Sequence, residues 1–163
     1  MAYRPMMLTL AAAAVALATG ASAQDAGDRA FIRTVIKIDN SEILLGHLGQ
    51  TRGASQPVRD YAGMLVADHT QHRAQAAQVA EGLGVKAPDG LAPGISAEKA
   101  KLEGLTGPAF DHEFARFMDK AHGQAIVAFQ KEVDHGHGAA ADLARQTLPT
   151  LHKHQDTAKS LEG

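Results

Sequence analysis

Val58, Ala62, Leu65, His69, His72, Ala76, Val79 and Leu83 follow one another at alternating steps of four and three residues. That alternation keeps one side of an α-helix facing the same way for about seven turns, whereas a strand would scatter the same residues over both faces. The stripe therefore demands a long helix packed against other helices. It is apolar except at two adjacent positions, His69 and His72.

Three further stripes share the spacing. Phe31, Val35, Ile38, Glu42, Leu45 and Gly49 form the first, and the spacing predicts a helix from about Gly27 to His47 or a little beyond. The stripe just described starts after Ser55, an N-cap residue with Pro57 in the first turn, and stops at the glycines of "EGLGVKAPDG". Phe114, Met118, His122, Ala125, Phe129 and Val133 define a helix from about Pro108 to Val133. After the "DHGHG" turn, Ala140, Ala144, Thr147, Leu151, His154, Ala158 and Leu161 define a last one, with Pro149 expected to kink or split it. Residues 84–107 hold two prolines, Pro88 and Pro93, and one short helix near Ser96. A connection of that length fits a crossover along the bundle that leaves the second and third long helices parallel. The expected fold is all-α, a ferritin-like up-down four-helix bundle with a long crossover between helices 2 and 3.

The first 23 residues stand apart. Arg4, an apolar run to Ala18 and the small residues Ala21-Ser22-Ala23 make the pattern of a cleaved secretory signal peptide. Residues 24–163 then form a single domain of 140 residues, enough for a real core. The expected location is outside the inner membrane, in the periplasm or associated with the outer membrane, with no transmembrane span in the mature chain. The full chain carries a net charge of −2, and losing Arg4 makes it −3, so there is no basic footprint for nucleic acid. Cysteine is absent, which removes disulfides, thiolate metal sites and lipid attachment at cysteine. Protein partners are not legible from the sequence.

Each long stripe presents an ionisable metal-ligand type where a core side chain belongs: Glu42, His69, His122 and His154. Three imidazoles and a carboxylate suit zinc, iron, manganese or copper, and bundle cores are where helical proteins assemble such sites. Asp68 and Asp119 are the candidates for orienting an imidazole from behind. The competing reading is a hydrogen-bonded polar layer that fixes helix register without a metal. Counting from the turn near Gly53, Glu42 and His69 differ in height by about 9 Å, so the four need not all meet. A diiron carboxylate centre is disfavoured, since Val66 and Leu151 stand where Glu-x-x-His motifs need glutamates. His72 is expected to belong to the packing, and His47, His112 and His152 to the surface.

The segments "EILLGHLG", "VRDYAGMLVADHTQ", "LEGLTGPAFDHEF", "HGQAIVAFQKE" and "TLPTLHKH" occur in this order from about Phe31 to Leu161. In them the chain resembles the bacterial envelope proteins of the domain of unknown function 4142 family, often labelled outer-membrane proteins. The resemblance implies a ferritin-like bundle with an acid at Glu42, Asp-His at Asp68 and His69, and histidines at His122 and His154. Relatives often place an acid directly before the helix 3 histidine, where this chain has Ala121. It implies no particular activity. The function classes that stay open are a metal-binding module, an envelope or stress-related interaction protein with a structural polar layer, and an oxidoreductase using a bundle metal; no catalytic residue can be named.

Overall fold

The computed structural model describes residues 12–162. The opening eleven residues of the leader expected over 1–23 lie outside them. Five helices make up the described chain: α1 (Ala12–Arg52), α2 (Gln56–Gly82), α3 (Ile95–Glu103), α4 (Pro108–His135) and α5 (Gly138–Leu161). No strand occurs among the described residues. The first helix starts earlier than its stripe predicts and ends at Arg52, and the short helix of the connection is α3.

Helices α1 and α2 form one antiparallel hairpin, α4 and α5 the other. Close approach within the first is permitted by two glycines of α1. A Cβ on Gly46 would lie 2.7 Å from Val66 Cγ2, and one on Gly49 would lie 2.7 Å from both Ala62 Cβ and the Phe114 ring. The turn between α1 and α2 is tied to the start of α4, because the Asp111 carboxylate accepts from the backbone N–H groups of Ala54 (2.7 Å) and Ser55 (2.8 Å). Ser55 caps α2 by accepting from Val58 N–H. Gly84 ends α2 in the left-handed region, φ +66°, which an L side chain enters only with strain.

The crossover runs down the length of α1, and its hydrogen bonds show the direction. Arg29 donates to the Leu83 carbonyl, Asn40 to those of Pro88 and Gly90, and Arg52 to that of Leu105, while Ser41 Oγ accepts from Ala92 N–H. Both partners rise in number together, so the segment is parallel to α1 and returns the chain to the end where α2 began. Helices α2 and α4 are thus parallel, as the length of the connection implies. Pro149 neither ends nor divides α5, whose helical backbone continues through it.

The core falls into two apolar clusters. One gathers Ile32, Ile36, Ala76, Ala125, Phe129 and Leu151. The other gathers Leu45, Leu65, Phe110, Phe114, Met118 and Ala158. On every long helix the buried residues between these two sets are polar: Asp39, Ser41 and Glu42 on α1, His69 and His72 on α2, His122 on α4 and His154 on α5. A buried polar layer therefore divides the hydrophobic interior in two. Burying seven polar side chains is costly unless each is paired, so their partners decide what the layer is for.

Candidate metal centre

The rings of His69, His122 and His154 meet in this layer. Their centroids are 5.8 Å apart for His69 and His122, 5.5 Å for His69 and His154, and 5.2 Å for His122 and His154. One ligand nitrogen from each ring lies within 4.8 Å of the others. All three residues are at most 4% exposed.

Each imidazole uses one nitrogen on an acceptor outside the trio. His122 Nδ1 is 2.9 Å from the backbone carbonyl of Met118, one turn earlier on α4. A carbonyl can only accept, so Nδ1 carries the proton and Nε2 of neutral His122 bears a lone pair. His69 Nδ1 donates to Asp39 Oδ1 at 2.9 Å, and His154 Nε2 donates to Asp68 Oδ2 at 2.8 Å. The nitrogens left over are His69 Nε2, His122 Nε2 and His154 Nδ1. All three are buried and find no hydrogen-bond partner among the described residues, and the same is true of Glu42 Oε2. Four buried polar atoms of one layer are thus left unpaired, each at a cost of about 1–3 kcal/mol.

Charge follows the same geometry. Burial pushes the His122 pKa down, against the pull of Glu42. Burial and the neighbouring rings hold His154 at about 4 despite its bond to Asp68. Both effects favour neutral, lone-pair-bearing imidazoles. His69 differs: burial lowers its pKa, but the hydrogen bond to Asp39 and the charges of Glu42, Asp39 and Asp68 outweigh it and the net shift is upward.

Of the positions singled out in the sequence, His69, His122 and His154 are brought together, with Asp68 behind His154. Glu42, 4% exposed, faces the same layer and its charge acts on His69, His122 and Tyr61, but it stands outside the 4.8 Å group. Asp119 is elsewhere. Its carboxylate accepts from Gln155 at 2.9 Å and faces Lys159 at 3.9 Å, so the orienting partner of His122 is the Met118 carbonyl instead. His72 is more than packing: its Nδ1 lies 2.9 Å from Asp39 Oδ1, and its Nε2 is 3.0 Å from Thr147 Oγ1. His47, His112 and His152 are exposed, as their positions off the stripes imply.

Asp39, 1% exposed, is the residue the stripe missed. It joins His69 to His72 and, with them, makes a second set of potential ligand atoms within 4.8 Å. The signal was present in its place three residues before Glu42, which puts both acids on one side of α1. A stripe one residue wide cannot register a helix face that is buried more broadly.

A family profile described as a domain of unknown function, DUF4142, matches residues 12–161. The chain belongs to that family. Membership accounts for the order of the five segments and carries no activity with it. Among solved structures the chain is similar to the crystal structure of a DUF305 fragment from Deinococcus radiodurans, with a TM-score of 0.75 and 19% identity over 84% of this chain and 95% of that one. At that identity the likeness is one of fold, and it supports the helical bundle. No curated protein matches. Among the described residues no helix is long and apolar enough to cross a membrane.

Proposed function

We propose that this DUF4142 member is a metal-binding module of the cell envelope, holding one divalent transition-metal ion through His69 Nε2, His122 Nε2 and His154 Nδ1. Glu42, in the same layer but outside the 4.8 Å group, supplies negative charge. The observation that carries this reading is the unpaired inward nitrogen of each imidazole. A structural polar layer, with imidazoles donating to neighbouring acids, accounts for the outward N–H groups but leaves the inward nitrogens of all three rings unpaired among the described residues. Acceptors behind each ring, Asp39, the Met118 carbonyl and Asp68, are the arrangement that metal-binding histidines use to fix tautomer and raise ligand basicity. Ligand bonds of about 2 Å to one ion require nitrogens close together, and one nitrogen of each ring lies within 4.8 Å of the others. The set is imidazole-rich and free of sulfur, which suits zinc or copper(II) and also admits iron or manganese.

The leader pattern of residues 1–23 supports a location outside the inner membrane and makes the envelope the compartment in which to look. Untagged protein purified from that compartment is expected to carry close to one metal per chain. Calorimetric titration of chelator-stripped protein with zinc is expected to give one site that His122→Ala abolishes. A stripped protein that binds neither zinc nor copper, iron or manganese would remove the reading. The structural polar layer then stands in its place, and the raised pKa of His69 favours it, because a proton on His69 is the other cation this layer can accept.

A further inference from the structure

A cavity of about 630 Å³ lies between α1 and α4, roofed by the crossover and the first turns of α3. Small residues on α4, Ala121, Ala125 and Ala128, keep its wall open, and Ile38, Phe117 and Ile95 make most of the remaining surface apolar. At its inner end Glu42, more than nine-tenths buried, lines the wall. A largely apolar pocket of a few hundred cubic ångströms with one placed polar group is the usual form of a small-molecule site. Burying a carboxylate at the end of it is costly unless something donates to it there.

We infer that this groove binds a neutral, mostly apolar molecule bearing a hydroxyl donor, of the phenol class, whose hydroxyl points at Glu42 and whose ring lies against Phe117. Lys101 and Lys120 are balanced by Glu42 and Glu98 around the groove, and Lys101 is already paired with Glu113, so no excess of either charge selects an ion. A carboxylate accepts and cannot donate, so the buried end of the ligand must donate. The inference deepens the metal reading in one respect, because Glu42 then links a ligand in the groove to the imidazole layer, but binding to Glu42 does not itself need the ion.

The test compares 4-ethylphenol with 4-ethylanisole, which has nearly the same shape and no hydroxyl donor, on the full-length mature protein stripped of metal. Binding is followed by NMR chemical-shift changes and calorimetry. The phenol is expected to bind about tenfold or more tightly than the anisole, the worth of a hydrogen bond to a charged group. Shifts should centre on Ile38, Phe117 and Ala121. Glu42→Met should bring the two affinities together, and Ala121→Leu, on the partly exposed wall, should weaken both by filling the groove. Equal affinity of the two probes for the unmodified protein, or phenol binding that Ala121→Leu leaves intact, overturns the inference. Zinc titration of the same sample separates the two readings. Phenol binding without zinc binding overturns the metal reading alone, and zinc binding without phenol binding overturns the groove alone.

Discussion

Asp68 on α2 accepts the Nε2–H of His154 on α5 at 2.8 Å, from a position that is itself partly open to solvent. The bond fixes which nitrogen of His154 faces the layer. Asp68→Asn removes the charge and lets the amide donate as readily as accept, so the ring is no longer held in one tautomer. Metal affinity is expected to fall by about 10–100-fold, the usual effect of losing such a partner, with the fold intact. Competition titration against a chelator of known affinity checks this, and an unchanged affinity would show that Asp68 does not orient a ligand.

Asp39 is buried more deeply and serves two rings. Asp39→Ala leaves the Nδ1–H groups of His69 and His72 without their acceptor inside the core, and the expected loss is about 3 kcal/mol or more in urea unfolding. The double variant with His72→Leu should recover part of that loss, because one of the stranded donors is gone. If the single substitution costs less than about 1 kcal/mol, the network is not holding α1 to α2.

Glu132, in the last turns of α4, has its pKa pushed from 4.5 to about 7 by burial and then by the charge of, and hydrogen bond with, Asp28. A pKa raised on folding means that the folded state binds the proton more tightly. The stabilisation is present in full below about pH 4.5 and lost as pH rises through about 7. Glu132→Gln keeps a donor for Asp28 at every pH. Its melting temperature is expected to gain on that of the unmodified protein between pH 5 and pH 8, and parallel curves over that range would count against the carboxyl pair.

Gly49 tests the packing of the α1–α2 hairpin. Alanine there improves helix propensity by about 1 kcal/mol, but its Cβ would meet the Ala62 methyl and the Phe114 ring at 2.7 Å. Overpacking of that kind costs about 1–3 kcal/mol, so the net effect of Gly49→Ala is a loss of stability. Gly82→Ala, where a Cβ meets nothing within 4 Å, is the control and is expected to be neutral or stabilising.

The four-three stripes carried the fold because a buried helix face repeats at the spacing of its residues, and three of the site's histidines broke that repeat at one height. Other features rest on information that a stripe does not contain. Asp39 sits beside the stripe, on a flank of α1 that is buried only because α2 lies against it. The choice of the Met118 carbonyl over Asp119 depends on rotamer, since one partner is four residues back along α4 and the other three. The groove depends on α1 and α4 standing apart, and that spacing is set by alanines whose effect appears only when the helices are in place. Pro149, whose local cost predicts a kink or a split, does not split α5, whose helical backbone continues through it.

Three particular nitrogens would hold the ion, and NMR of the histidine rings with nitrogen-15 labelling reads them individually. In the stripped protein, at a pH above the raised pKa of His69, His69 and His122 should show the Nδ1–H form and His154 the Nε2–H form. One equivalent of zinc should then shift His69 Nε2, His122 Nε2 and His154 Nδ1 in slow exchange while leaving both nitrogens of His72 in place. Zinc that moves none of these, or that moves the Nδ1 atoms of His69 and His72 on the Asp39 side instead, would contradict the account.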